Sequence, residues 1–506
     1  VTFSLTPTLA ATHLATLDLV IVALYLVAMV GIGVYYSFTT NDSEDYLLGG
    51  RRMASTTVGM SLFASMLSTI SFIAWPGEII RHGPTIAAQI VAYPVVFLLV
   101  GWLLIPKIMS QRVTSAYELL EAQLGRTTRY LASIMFVMLR TLWMAVVVFA
   151  TIDKVIVPVF GLLPSSTPLL CAGLGIVTVF YSVLGGLRAV VLTDVIQTLI
   201  LLMGAAVSLA IIMWNLGGIR YVIPDGWPEH WSNPQIGFHL SERSVLGFLL
   251  NFCCWYVATM GSDQMAIQRF VATPDTRSAR QVLRTSLSID AMVFCLMACV
   301  GLSLMSWFVA HPNWLASGET IEQQADRLFP LFIVRGLPVG LTGMVIAGLM
   351  AAAMSSLSSG INSTAAVITT DWLQGMCGMN LSTRGQLWAA RLVSAAMGII
   401  VVAMAVMMQF VETNLYELTV RVAGLMTGPL FVLFFMAMFV PRATTASAML
   451  AAFAAVAIAG AISFADAFQL PMVRRLGFLW ILPLSMATGA VVGVVSSYAI
   501  RRGDSS

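Results

Sequence analysis

Apolar runs long enough to cross a bilayer recur along almost the whole chain, and no other feature limits its fold so strongly. A membrane helix needs about 20 mostly apolar residues. Thirteen runs qualify: 17–37, 55–75, 86–105, 130–150, 168–183, 191–216, 245–265, 286–308, 339–372, 389–410, 418–440, 444–464 and 478–500. Between them there is too little charge to cover a soluble protein. Only 10% of the 506 residues are charged and 59% are hydrophobic, against about 25% charged in an ordinary soluble domain. Mean hydropathy is +0.90. The expectation is an all-α membrane protein with lipid as its main solvent. The first run follows a threonine-rich stretch with no basic n-region, which reads as a spanning helix rather than a signal peptide.

Lysine and arginine set the orientation. With the N-terminus outside, the inner loops carry twice as many of them as the outer loops, including Arg51, Arg52, Lys107, Arg112, Arg188, Arg269, Arg442, Arg501 and Arg502 inside and Arg81, Arg243, Arg474 and Arg475 outside. The prediction is a multi-pass protein of the cell membrane, N-terminus outside and C-terminus cytoplasmic. The polar stretches 217–244 and 310–338 then form outer loops, the second with a short surface helix near 321–332. The stretch 106–129 reads as an amphipathic helix at the inner interface. No basic block suggests nucleic acid. The six cysteines have no metal-ligand spacing and read as buried free thiols. With the histidines scattered, a membrane-embedded enzyme is a distant alternative.

Polar groups inside the apolar runs carry the functional signal. The run 339–372 contains GLMAAAMSSLSSGINSTAAVITTD. At about 100° per residue, Ser355, Ser356, Ser359 and Ser363 fall on one stripe around Ala352, while Ser358 lies roughly 120° away. Serines in membrane helices also serve close packing and backbone back-bonding. Four on one stripe suit a cation held by oxygens of little charge, which favours sodium over calcium or magnesium. The run 55–75 is interrupted by Ser61, Ser65, Ser68, Thr69 and Ser71. It is either a polar-faced continuous helix or a helix broken at membrane depth, and a break frees carbonyls for ions and solutes. Pro76 is expected to end it. Asp194 is an intramembrane carboxylate: a second cation ligand, a proton carrier, or a bridge to Arg188. Arg140 and Arg421 either snorkel to an interface or meet an anionic solute. The cluster DQMAIQRF (263–270) reads as an inner anchor or gate.

These segments, in order, resemble the sodium:solute symporter family. The carrying motifs are DYLLGGRR, SLFASMLSTISFIAWPGE, TSAYELLEAQLG, YSVLGGLRAVVLTDVIQ, DQMAIQRFVAT and AAAMSSLSSGINSTAAVITTD, from Asp45 to Asp371. The resemblance implies a leucine-transporter-like fold of two inverted five-helix repeats, residues 55–216 and 245–440. One helix (17–37) precedes them and two (444–500) follow. It implies a main sodium site of Ala64, Leu67, Ala352, Ser355 and Ser356, and a second, present in some members, of Asp194 with Ser355, Ser358 and Ser359. The pattern is similar to the branch of sialic acid, monocarboxylate and vitamin carriers, with a sugar-carrier feature in DQMAIQRF. Solute-facing positions carried over are Met66, Ser68, Ser71, Gln89 and Trp143. Trp143 stands where the sialic acid carriers have a carboxylate-clamping arginine, and Arg140 lies one turn earlier, about 4.5 Å along the axis. The implied activity is sodium-coupled symport of a small organic solute (sugar, sialic acid or organic carboxylate) by a monomer, not an enzyme. A proton-coupled carrier using Asp194 is the alternative.

Overall fold

The computed structural model describes residues 14–500 other than 41, 112, 225, 232, 238, 240–242, 317, 409–414, 466–468, 471, 472, 474 and 475. Arg112, Arg474, Arg475, Arg501 and Arg502, which entered the charge count, lie outside the described residues. Among the described residues the chain is helical, apart from a single bridge between Gln235 and Ser244. Ten helices are long and apolar enough to cross a bilayer, and one bent pair makes an eleventh candidate span.

In chain order these are α1 (Thr16–Ser37), the bent pair α2 (Ser55–Met66) and α3 (Thr69–His82), α4 (Pro84–Met109) and α5 (Glu118–Val159). Then come α6 (Thr167–Leu216), α7 (Val245–Ser262), α8 (Gln264–Val271), α9 (Thr276–Ala310) and α10 (Ala325–Gly336). The last are α11 (Leu341–Met376), α12 (Thr383–Met407), α13 (Leu415–Phe439), α14 (Thr445–Ser463) and α15 (Ile481–Ala499).

At 1.5 Å per residue, the 50 residues of α6 would extend about 75 Å, far more than one bilayer. Gly186 divides it, with φ 59° and ψ −158°. No other residue suits the position, since a Cβ there would lie 2.6 Å from the Tyr46 ring and carbonyl. The runs 168–183 and 191–216 are therefore separate arms of one kinked element.

The serine-rich α11 is the axis of the molecule. Every residue from 345 to 367 is buried, so its polar stripe faces protein rather than lipid, and each hydroxyl needs a partner there. Helix α1 leans on it. Buried Asp18 accepts the Gly340 and Gly343 amides at 2.7 and 2.8 Å, which satisfies donors that the start of α11 would otherwise leave open.

Several expectations need correction. Pro76 lies inside α3 rather than ending it. The loss of one ladder bond is offset by burial of Ile79 and Ile80 beyond it. The outer-loop helix exists as α10, but it is a packed element and not a surface one: Leu328, Phe329, Phe332 and Ile333 are all buried. The inner amphipathic segment is likewise drawn into the core through Tyr117, Leu119 and Leu120, and the chain breaks away from it at Gly125, φ 80°. Of the cysteines, Cys171 is buried, but Cys295 and Cys377 are exposed: Cys295 lies on the outward face of α9 and Cys377 just past the end of α11.

Candidate functional site

The α2–α3 bend of 64° is made without glycine or proline. Leu67 and Ser68 adopt extended geometry (φ −81°, ψ 130° and φ −112°, ψ 163°). Serine chemistry supports the break. Ser68 Oγ caps α3 by accepting the Ser71 amide at 3.3 Å, and Thr69 Oγ1 donates to the Leu349 carbonyl of α11 at 2.8 Å. The last carbonyls of α2 lose their ladder partners. One of them, Leu67 O, accepts from Ser356 Oγ of α11 at 3.2 Å. Two of the expected main-site residues thus meet directly, with buried Ala64 and Ala352 on the same pair of packed helices. Ser355, the fifth, donates to Asp194 Oδ1 at 2.7 Å. A hydroxyl that gives its proton to a carboxylate still presents lone pairs, so this bond leaves the Ser355 oxygen able to accept.

A second break, at Asp263 (φ −86°, ψ 125°), separates α7 from α8. Its carboxylate caps α8 through the Met265 amide at 2.9 Å. The turn sends Arg269 into the protein, where it is fully buried. Its Nη2 donates to Ser65 Oγ and Ser359 Oγ, both at 2.6 Å, and to Asp194 Oδ2 at 3.2 Å. Its Nε reaches Ser61 Oγ at 3.0 Å, and Ser61 donates to Asp194 at 2.5 Å. The carboxylate expected to hold a second sodium is therefore answered by the chain's own guanidinium. Arg188 bonds Asp45 instead, at 2.7 Å. Ser358 stands apart, donating to the Ser355 carbonyl at 3.1 Å, as its position off the stripe implied. Arg269, counted above as an inner-loop charge, is the largest residue that sequence reasoning misplaced. The available signal was a polar cluster directly after an apolar run, where a broken helix turns the chain back inward.

Beside the α2–α3 break lies a narrow pocket with a cavity volume of about 90 Å³. Of the solute-facing candidates, Met66, Ser71, Gln89 and Trp143 line it. Ser68 is a buried helix cap and does not. Arg140 does not line it either. It ion-pairs with Asp263 across the α7–α8 break, leaves its Nε without a partner among the described residues, and lines an adjoining pocket that shares Met66, Trp143 and Trp255 with this one. Arg421 is turned to the Ser463 carbonyl at 2.7 Å. The walls are largely aromatic, from Trp75, Trp143, Phe248, Phe252, Trp255 and Tyr256, with Asn251 and Asp290 added. Asp290 had gone unremarked, although an aspartate within an apolar run is itself a signal.

The family model for the sodium:solute symporters matches residues 46–454. The chain belongs to the sodium:solute symporter family. It is therefore a transporter and not an enzyme, and it couples sodium to the movement of a small organic solute. The symporter is 28% identical to the sodium/sialic acid symporter NanT of Aliivibrio fischeri over 455 residues, 88% of each chain. It is 30% identical to a putative sodium-dependent multivitamin transporter of Drosophila melanogaster, over 85% of this chain and 72% of that one. It is 28% identical to human sodium-coupled monocarboxylate transporter 1, over 87% and 72%. Among solved structures it resembles a substrate-bound, outward-open sodium-coupled sialic acid symporter (TM-score 0.84, 24% identity, 96% and 98% covered). The fold is thus the expected leucine-transporter-like one.

Proposed function

We propose that the symporter carries its solute by alternating access, with one sodium ion at the junction of α2 and α11 held by Ala64 and Leu67 carbonyls, Ala352, Ser355 and Ser356. The observation that carries this reading is the Leu67 carbonyl, freed by the helix break and meeting Ser356 Oγ at 3.2 Å. In this reading sodium binds best when α2 and α11 are together, orders the break, and shapes the adjoining pocket for solute; its release inside loosens α11. The inward potential contributes about 2.3 kcal/mol per charge per 100 mV. Solute sits against Met66, Ser71, Gln89 and Trp143, and the Arg140–Asp263 pair acts as a strut beside it rather than a clamp. Arg269 takes the place of a second sodium at Asp194 and Ser359, which also makes Asp194 a poor proton carrier.

The topology proposed with it is thirteen spans, obtained by counting the two arms of α6 separately and each broken helix once. The N-terminus is outside and the C-terminus cytoplasmic. The repeats are 55–216 and 245–440, flanked by 17–37 and 444–500, in a monomer. Purified protein should be stabilised against heat by sodium but not potassium, and solute uptake into proteoliposomes should follow a sodium gradient without a pH gradient. Uptake that follows a pH gradient in the absence of sodium would replace this reading with the proton-coupled one.

A further inference from the structure

Among the described residues, the pocket beside the α2–α3 break is lined by a carboxylate and by no arginine or lysine. Asp290 of α9 is 3% exposed and lines the pocket. Its Oδ2 accepts from Tyr93 at 2.6 Å and from Tyr256. Among the described residues no arginine or lysine pairs with it, although ten other ion pairs are formed. The guanidinium beside the pocket, Arg140, has its charge balanced by Asp263 through Nη2, while its Nε has no partner among the described residues. A carboxylate at membrane depth without a counter-charge is costly and marks a solute or ion path. Here the surroundings favour one charge type. Trp143, Phe252, Trp255 and Tyr256 line the same space, and aromatic rings attract cations, most strongly when water is excluded. The Gln89 Nε2 amide is buried, lines the pocket and has no partner, so it is available to a solute acceptor such as a hydroxyl or carbonyl.

We propose that the solute carries a cationic ammonium head, seated with its nitrogen toward Asp290 inside the aromatic wall, and that it is not a carboxylate. An anionic solute would meet Asp290 with like charge and find, in Arg140, a guanidinium whose charge Asp263 already balances, so the carboxylate chemistry named for the relatives does not transfer to this pocket. Asp290 also supplies the negative charge that lets a second cation sit near a sodium ion at Leu67. The proposal rests on the sodium-symport reading and assigns its solute class.

The full-length protein is tested by thermal shift, in sodium and in potassium, against choline, tetramethylammonium, sialic acid, lactate and glucose. The expected result is stabilisation by choline or tetramethylammonium, stronger in sodium, with no shift from the others. Asp290→Asn should weaken the ammonium response at least about tenfold while keeping the stabilisation by sodium alone, which also reports that the variant is folded. Absence of a shift with both ammonium probes overturns the proposal, as does a shift with lactate, sialic acid or glucose in their place. Unchanged choline affinity in Asp290→Asn removes Asp290 from the site. Should Asp290→Asn not fold, Trp143→Leu carries the test, because loss of a ring face must also weaken choline. Loss of any sodium-specific stabilisation in the unmodified protein would instead remove the symport reading itself.

Discussion

Asp194 and Asp290 are both carboxylates buried at membrane depth, and the chain treats them in opposite ways. Asp194 is saturated: Ser61, Ser355 and the Arg269 guanidinium all donate to it. Asp290 receives two tyrosine hydroxyls and no formal positive charge. A buried acid with its own cation can hold helices in register through a cycle, whereas one without a cation leaves electrostatic work for a visitor. The difference separates a residue that organises α2, α6, α8 and α11 from one that recognises cargo, although both look alike in a hydropathy plot.

The harshest way to break that comparison is to remove Arg269. Arg269→Leu leaves Asp194 charged, buried and without a counter-ion, and breaking a buried pair from one side typically destabilises by about 3–5 kcal/mol. Low yield or a large fall in melting temperature is expected. The double variant Arg269→Leu with Asp194→Asn should recover part of the loss, because no lone charge remains. If the single variant is as stable as the unmodified protein, Arg269 is not the partner that its contacts indicate.

Next in size is the sodium junction. Ser356→Ala removes a hydroxyl from the carbonyl end of α2 and should raise the sodium concentration for half-maximal uptake by about tenfold, the effect of losing one ligand worth roughly 1.4 kcal/mol. Ser355→Ala should do the same with an added stability loss of about 1 kcal/mol, because its bond to Asp194 is lost as well. Titrating uptake against sodium measures both. Unchanged sodium dependence in the two variants would sink the assignment.

The sequence revealed the spans, the serine stripe and the importance of Asp194 because these are local patterns: run length, 100° spacing, and charge where charge is rare. It also left the α2 break open, since no glycine or proline marks it; the break depends on Ser68 and Thr69 finding partners, the latter on α11, which no local pattern records. Arg269 and Asp290 were lost for a related reason. Each lies near the end of an apolar run, where a charge ordinarily faces water. Only the turn at Asp263, and the packing of α2, α3 and α4 against α9 with the Tyr93 and Tyr256 hydroxyls on Asp290, take them inside. Arg140 shows the converse. It was legible as an intramembrane arginine, but its pairing with Asp263 of α7–α8 was not.

The smallest effect is also the one that divides the two readings of the Asp194 cluster. Ser359 Oγ accepts from Arg269 at 2.6 Å and lies 3.4 Å from Asp194 Oδ2. If a sodium ion shared this place, Ser359→Ala would delete one of its ligands, and the sodium requirement would rise as it does for Ser356→Ala. With Arg269 as the resident cation, the same change removes one acceptor from a guanidinium that keeps Ser65, Asp194 and the Met265 carbonyl. The consequence is then a stability loss of about 1 kcal/mol, an unaltered half-saturating sodium concentration, and a Hill coefficient near one. A melting curve and a sodium titration on this single variant therefore test whether Asp194 belongs to the scaffold or to the cargo, because a shift in the titration midpoint would place it with Ser356.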